Sequence, residues 1–180
     1  YSSDYNHNEM YPLSFTPDKK VSLENVAHVL RDRYEGTQYS PDEAGKNDSR
    51  AIGSDETLSA HIIQIFSHLP PEMSCVSWVS SGPPVYGVFV PLSNDCVNVS
   101  SEYGANQPAN ESGVFDTDKY PYYVFKELCN RCIGPDHYEI YGQPVQAYWY
   151  EAESKMFDEM SKVLKNAAEM DSMSVLHVFT

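Results

Sequence analysis

Three closely spaced β-rich segments constrain the fold of this chain more than any other feature. They cover residues 57–67 (TLSAHIIQIFS), 74–80 (SCVSWVS) and 85–91 (VYGVFVP), and they are rich in β-branched and aromatic residues. The breaks between them, HLPPEM and SGPP, suit hairpins, whereas a parallel crossover needs about a dozen residues or more. We therefore predict three neighbouring antiparallel strands. Neither face of the segments is strongly polar, which predicts a sheet covered on both sides.

A capped helix is predicted before this block. Ser22 can accept a hydrogen bond from the first turn, and Glu24 stands near the positive end of the helix dipole. Apolar residues recur at helical spacing from Leu23 to about Tyr34. Gly36 can adopt the left-handed conformation that ends a helix, so we expect a surface helix with an ordinary stop.

Two further helices are predicted after the block, beyond a long polar loop at residues 92–114. One covers about 118–132, and a longer one has Pro144 in its first turn and continues to about Met170. The predicted apolar stripe of the long helix is Val145, Tyr148, Trp149, Ala152, Met156, Met160, Val163 and Ala167. A sheet and helices in separate blocks are typical of an α+β fold.

The charge balance argues against two classes of partner. The chain has 12 Lys+Arg against 26 Asp+Glu, a net charge of −14. Nucleic-acid binding needs a basic surface, and so does electrostatic docking on anionic membranes. The chain also has no run of about 18 apolar residues that could span a bilayer. We expect neither nucleic acid nor membrane as a partner.

The four cysteines are too few and too scattered for a disulfide framework. They are Cys75, Cys96, Cys129 and Cys132, and the last two form a single CxxC with no second pair of ligands at zinc spacing. A redox CxxC would begin a helix, whereas this one stands at the end of a helical pattern. Buried or half-buried thiols are therefore the favoured interpretation.

Few residues suggest chemistry by themselves, because no nucleotide-binding, zincin or serine-hydrolase signature occurs. His61 lies in a predicted strand, either as a half-buried histidine bonded to a backbone carbonyl or as a group near a substrate. Asp32 and Glu35 are helical neighbours. They form either an acid–base pair or, as we favour, ion pairs with Arg31 or Arg33.

Several stretches resemble the dipeptidase A-type cysteine peptidases, which belong to the N-terminal-nucleophile (Ntn) hydrolases. FTPDKKVSLENVAHVLRDRYEGTQYS is similar to the Pro-Asp-Lys-Lys lead, capped helix and Tyr-Glu-Gly-Thr ending of that family. RAIGSDETLSAHIIQI fits its pattern before a core strand, with Arg50, Ile52, Thr57 and His61 in place. SWVSSGPPVYGVFVPL resembles its Trp-containing strand and Gly-Pro-Pro turn. FDTDKYPYYVFKEL and the long helix match more loosely, so the resemblance covers most of residues 15–170.

The resemblance implies that the α+β fold is part of an αββα sandwich, with mainly antiparallel strands and flanking helices. Within it, residues 1–20 would form an extended arm and residues 173–180 a C-terminal tail. Residues 21–172 would form the C-terminal part of a single Ntn-hydrolase-like domain.

The resemblance also implies a mechanism. An Ntn hydrolase of this family uses the side chain of its first mature residue, a cysteine, as nucleophile and the α-amine of that residue as base. Residue 1 here is Tyr, and all four cysteines are internal. The nucleophile would therefore lie upstream, in a longer dipeptidase, and this chain alone would be inactive. No catalytic residue, metal or cofactor is expected within the chain.

Arg50, Thr57 and His61 are the substrate-binding residues that the resemblance implies. Where the family has a basic residue just before the threonine, this chain has Asp55 and Glu56, which leaves Arg50 to take that role. The expected partners are a dipeptide or short peptide, the missing N-terminal half and further copies of the chain.

Two alternatives stay open. One is an amidase or acylase of the same superfamily, and the other is a non-catalytic binding domain on the same scaffold, since fold alone does not fix function. The cysteine usage favours the cytoplasm. Sequons at Asn47, Asn98 and Asn110 keep a secreted or periplasmic location open.

Overall fold

The computed structural model describes residues 14, 16–42, 50–93, 96, 98–104 and 120–169. In chain order the elements are α1 (Leu23–Arg31), β1 (Ser59–Ile65), β2 (Cys75–Ser81), β3 (Val90–Ser93), α2 (Ser101–Gly104), α3 (Pro121–Cys132), α4 (Pro135–His137) and α5 (Gln143–Ala168). Helices with an antiparallel sheet confirm the α+β prediction. Most of the predicted arm, much of the 92–114 loop and the whole 173–180 tail lie outside the described residues.

The sheet has the order β1-β2-β3 with both pairs antiparallel, as predicted. Its third strand begins at Val90 rather than near residue 85, because Pro84–Tyr86 form a 3-10 turn. Proline has no N–H to give to a ladder and fixes its own φ, so the Pro-Pro pair delays the strand. Gly87 follows the turn, and its backbone packs so closely against Pro83 that a Cβ there would lie 2.9 Å from the Pro83 carbonyl oxygen.

The two faces of the sheet have different environments. On the inner face Ile62 pairs with Trp78, both are buried, and Phe157 of α5 packs edge-on against Trp78 at 4.6 Å between ring centroids. On the outer face Ile63 and Ile65 are 60% and 78% exposed. The prediction of a sheet covered on both sides is therefore wrong for the described part of the chain. The strand composition indicated that neither face is strongly polar, but the helices cover only the inner face.

Helix α1 begins where the sequence predicts. The Ser22 hydroxyl accepts from the Asn25 N–H at 3.2 Å, and the Asn25 side chain accepts from the Ser22 N–H at 3.0 Å, which forms a capping box. The helix ends at Arg31, before the predicted Tyr34, because Asp32 leaves the helical conformation with ψ of 121°. Gly36 has the expected positive φ, but it lies in the following turn and does not end the helix.

Helices α3 and α5 confirm the two later helical predictions, with Pro144 in the first turn of α5. The predicted stripe of α5 is partly wrong. Tyr148 is 64% exposed, whereas the buried residues include Phe157, Leu164 and a charged side chain, Glu153. A π-helical turn, Tyr138–Gly142, precedes α5 and was not predicted. The apolar pattern could not show that a carboxylate would face the core.

Candidate functional site

A buried ion pair between Arg33 and Asp42 anchors the loop after α1. Arg33 Nε donates to Asp42 Oδ2 at 2.5 Å, and Arg33 Nη2 donates to Oδ1 at 3.0 Å. Arg33 Nη1 donates to the Gly53 carbonyl at 2.6 Å, and the Gly134 N–H donates to Asp42 Oδ1 at 3.1 Å. Burial by itself would lower the pKa of Arg33, but the bond to Asp42 and the charge of Asp42 outweigh burial and raise this pKa. The charged pair fixes three loops relative to one another.

Tyr34 has a left-handed backbone conformation, with a φ of +59°. Bulky residues rarely adopt it, and such strain persists only where the surroundings impose it. The Tyr34 N–H donates to Asp32 Oδ1 at 2.7 Å, and the Thr37 hydroxyl donates to the Tyr34 carbonyl at 2.7 Å. The Tyr34 phenol donates to the Arg50 carbonyl at 3.2 Å. These bonds hold the strained residue and place residue 50 beside this loop.

Arg50, the first predicted substrate-binding residue, lines a pocket of about 460 Å³. Other residues of its wall include Arg33, Asp42, Ser54, Asp55 and Gly134. Arg50 is exposed and has no ion-pair partner within the described residues. Asp55 lies instead near Lys126, whose Nζ is 4.0 Å from Asp55 Oδ2 and donates to the Asp55 carbonyl. A guanidinium without a carboxylate partner at the rim of a pocket can bind a ligand carboxylate through two parallel hydrogen bonds.

The other two predicted residues lie elsewhere. Thr57 is half-buried in the turn before β1, where its N–H donates to the Ser54 carbonyl at 3.3 Å. His61 is exposed on the outer face of β1, and its Nε2 lies 3.2 Å from the Ser59 hydroxyl. The pocket that Arg50 lines includes neither of them. The interpretation of His61 as a half-buried histidine bonded to a backbone carbonyl is wrong. Side chains alternate along a strand, and that of His61 lies on the face of the sheet that the helices do not cover.

The arginines next to Asp32 and Glu35 do not pair with them. Arg31 binds Glu153, and Arg33 binds Asp42. Asp32 accepts from the Tyr34 N–H, and Glu35 Oε2 accepts from the Arg33 backbone N–H at 3.1 Å. The predicted local ion pairs are therefore wrong. Both guanidiniums point into the protein, which leaves the two carboxylates without a cation in the described residues.

The thiols of α3 are poor nucleophiles. Cys129 and Cys132 are 0% and 1% exposed, as the buried-thiol interpretation predicted. Burial raises the pKa of Cys129 to about 12 and raises the pKa of Cys132 as well. Both pack against Tyr86, whose own pKa is raised by burial. A thiol that keeps its proton does not attack a carbonyl, because the thiolate is the reactive species.

Sequence reasoning missed Asp42 and Glu153, the acidic partners of the two buried arginines. Asp42 lies in a polar loop and Glu153 lies on the long helix, and each takes its role from an arginine outside its own element. A hydropathy pattern does not show whether a charged residue is buried in an ion pair, so nothing in the local sequence marks these carboxylates. Among the residues with described positions, no group of three or more His, Cys, Asp or Glu side chains is arranged to hold a metal ion. None of the described helices is long and apolar enough to cross a membrane.

Comparison with known proteins identifies a family for this sequence. Residues 1–151 match the model of peptidase family C69. The chain belongs to peptidase family C69. The matched range contains the α1 loop, the Arg50 pocket and the whole sheet, and it confirms the predicted relationship to dipeptidase-type peptidases.

Curated relatives of this C69 chain are named dipeptidases. It is 31% identical over 96 residues to a probable dipeptidase of Latilactobacillus sakei, covering 51% of this chain and 20% of that protein. It is 31% identical over 132 residues to probable dipeptidase B of Streptococcus pyogenes serotype M1, covering 66% and 25%. It is 21% identical over 165 residues to dipeptidase A of Lactobacillus helveticus, covering 86% and 32%. The C69 chain thus spans only about a fifth to a third of the length of these relatives.

Proposed function

We propose that this chain is part of a peptidase that hydrolyses dipeptides, and that the nucleophilic cysteine is carried by a segment outside these 180 residues. The observation that carries the proposal is the match to peptidase family C69 over residues 1–151. Relatives in several genera are named dipeptidases, and each is several times longer than the aligned part. A longer polypeptide therefore has ample room for the nucleophile.

The proposed reaction is acyl transfer through an N-terminal cysteine. The thiol adds to the peptide carbonyl carbon and gives its proton to the α-amine of the same residue. The tetrahedral intermediate expels the C-terminal amino acid, which takes a proton from that amine. Water then cleaves the thioester and releases the N-terminal amino acid. The buried, protonated state of Cys129 and Cys132 supports a nucleophile from elsewhere.

Within this chain, Arg50 is the proposed anchor for the substrate carboxylate. Its exposed guanidinium lines a pocket, and a dipeptide ends in a carboxylate that such a group binds with charge-assisted hydrogen bonds. The Tyr34 phenol bonds the Arg50 backbone and so helps to set its position. Thr57 and His61 are proposed to contact the substrate from the start of β1.

The outer face of the sheet is the proposed contact with the rest of the protein. Ile63 and Ile65 of this face are 60% and 78% exposed. Burying such a face adds about 25 cal/mol per Å² of apolar area, so a second layer over it would stabilise the fold considerably. An αββα sandwich provides that layer from another sheet. The isolated chain is accordingly proposed to self-associate through this face.

All four cysteines are free thiols, and this supports the cytoplasmic location proposed here, where disulfides are rare.

Amino-acid release from a panel of dipeptides tests the function. We expect turnover by the longer protein, loss of turnover when its N-terminal cysteine is changed to alanine, and no turnover by the 180-residue chain. Turnover by the 180-residue chain itself would overturn the proposed position of the nucleophile. A longer protein that cleaves acylated amines but no dipeptide would replace the proposal by the amidase alternative.

A further inference from the structure

A second pocket lies between the end of α1 and the first half of α5. Its wall is formed by His28, Asp32, Glu35, Gln146 and Tyr150, and its volume is about 380 Å³. Neither Arg50 nor any other residue of the Arg50 pocket contributes to it. We call it the acidic pocket, because two of its five wall residues, Asp32 and Glu35, carry carboxyl groups.

The two carboxylates are held in place by the backbone. Asp32 Oδ1 accepts from the Tyr34 N–H at 2.7 Å, and Glu35 Oε2 accepts from the Arg33 N–H at 3.1 Å. Each carboxylate therefore uses one oxygen to fix its position. In the described part of the chain, the other oxygen of each has no hydrogen-bond partner, and neither carboxylate has a salt bridge. Tyr34, with its left-handed backbone, lies between them in the chain, and both side chains line the same pocket.

Gln146 provides an independent indication of a ligand. Its side chain lines the acidic pocket, the residue is only 7% exposed, and its Nε2 makes no hydrogen bond within the described residues. A buried amide group without a hydrogen-bond partner is unfavourable, so such a group usually has a partner in the functional state. Rotation about the last side-chain torsion lets the amide present either its nitrogen or its oxygen to the pocket.

Aromatic rings complete the wall. The rings of His28 and Tyr150 lie 4.3 Å apart between centroids, with a tilt of 35°. The Arg31 guanidinium lies 5.3 Å from the centre of the Tyr150 ring, but Glu153 neutralises it. Burial raises the pKa of Tyr150, so the phenol stays neutral and able to donate at neutral pH. The pocket thus combines negative charge, an aromatic surface and one unpaired amide.

We propose that the acidic pocket binds the protonated amino terminus of a short peptide. The ammonium group binds the free oxygens of Asp32 and Glu35, and the adjacent peptide group bonds with the Gln146 amide. An organic cation fits better than a metal ion, because no three metal-ligating side chains converge in the described part of the chain. The choice of a peptide as the source of the ammonium rests on the proposed function.

The test measures binding to the 180-residue chain by NMR titration, with glycinamide and N-acetylglycinamide as probes. The two probes share the amide and differ in the charged amine. We expect glycinamide, but not N-acetylglycinamide, to shift the resonances of residues around Tyr150 and Gln146. Equal shifts from both probes, or shifts from neither, would overturn the proposal.

Three variants sharpen the test. Asp32→Asn with Glu35→Gln keeps the oxygens that accept the backbone bonds but removes both charges. It should weaken glycinamide binding at least about tenfold, as expected for losing charge-assisted hydrogen bonds. Gln146→Met should weaken it less, by about two- to fivefold, since a neutral bond is lost. Asp136→Asn with Glu139→Gln is the matched control, because these exposed acids have the same spacing and charge. An equal effect of the control pair would show that only net charge matters, and would overturn the proposal.

This measurement is independent of hydrolysis. If glycinamide binding depends on the two carboxylates but the longer protein cleaves no dipeptide, the proposed function is wrong and the proposed ligand of the acidic pocket stands. If the longer protein cleaves dipeptides and its KM is unchanged by Asp32→Asn with Glu35→Gln, the proposed function stands and the acidic pocket does not bind the substrate.

Discussion

Arg31 of α1 and Glu153 of α5 form a two-point ion pair, with Nη1 2.9 Å from Oε2 and Nη2 2.5 Å from Oε1, and both side chains are 2% exposed. Each partner also makes hydrogen bonds outside the ion pair. Arg31 also donates to the Pro84 and Gly87 carbonyls, and Glu153 Oε1 accepts from the Phe89 N–H. The pair therefore links two helices and the segment between β2 and β3, and it is the polar centre around which the apolar core is arranged.

Removing one partner of this pair should destabilise the fold strongly. Arg31→Met leaves the Glu153 carboxylate buried without a cation, and we expect a loss of about 3–5 kcal/mol in the free energy of unfolding. Urea denaturation monitored by Trp fluorescence measures it. Adding Glu153→Leu should recover much of the loss, because the orphan charge is then gone. A double variant as unstable as Arg31→Met would contradict this reasoning. Lys155→Ala, on the fully exposed pair with Glu151, is the control and should leave stability unchanged within error.

Two adjacent isoleucines of β1 should differ sharply on truncation. Ile62 is 8% exposed on the helix-covered face, and Ile63 is 60% exposed on the open one. Ile62→Ala removes packed methyl groups and should cost about 2–5 kcal/mol. Ile63→Ala should cost less than about 1 kcal/mol in the isolated chain. Thermal unfolding of the two variants at one low concentration compares them directly, and equal losses would mean that the outer face is already covered.

The backbone at Tyr34 predicts an unusual order of substitutions. Glycine adopts a positive φ freely, whereas a β-branched residue is especially strained there. Tyr34→Val should therefore be less stable than Tyr34→Gly by about 1–2 kcal/mol, although valine retains more apolar surface. Chemical denaturation of both variants measures the difference. Valine at least as stable as glycine at this position would show that the loop relaxes to an ordinary conformation.

Alkaline pH should destabilise the fold through Cys129. Burial raises its pKa to about 12 in the folded chain, and an unfolded cysteine titrates near about 8.5. Below about 8.5 both states hold the proton, so the full stabilisation is present. Above that pH only the folded chain keeps it, and the free energy of unfolding falls by up to about 1.4 kcal/mol per pH unit until the folded pKa is reached.

Urea unfolding at several pH values from about 7.5 to 9, where unfolded tyrosines with a pKa of about 10 are still mostly protonated, measures this slope. Cys129→Ala should make the slope shallower, and Cys96→Ala, which changes a half-buried thiol near an exposed loop, serves as control. Identical slopes for the parent chain and Cys129→Ala would contradict the assignment.

Local signals predicted the elements that depend on local physics. The Ser22 cap gave the start of α1, Pro144 gave the start of α5, and the short breaks between strands gave the antiparallel order. The failures in the helices involve distant partners or special backbone. Asp32 leaves the helix early as the chain turns toward the strained Tyr34, and the helical face of α5 rotates to bring Glu153 to Arg31.

The candidate site was less predictable than the fold. Arg50 lies at a pocket, as a substrate-binding residue should, but that role stays a prediction, as do those of Thr57 and His61. The sequence did not predict the acidic pocket, because Asp32 and Glu35 were expected to pair with the adjacent arginines. Only the long-range pairs Arg31–Glu153 and Arg33–Asp42 reveal that these two carboxylates have no ion-pair partner in the described part of the chain.

The pairing of Arg31 with Glu153 also sets an order of events during synthesis, because 122 residues separate the two. At a translation rate of about 5–20 residues per second, Glu153 is added to the chain about 6–24 s after Arg31. Over that interval the guanidinium can stay hydrated only if α1 remains undocked. Helix α1 is therefore made well before its partner helix α5, and it is among the last of the described elements to dock.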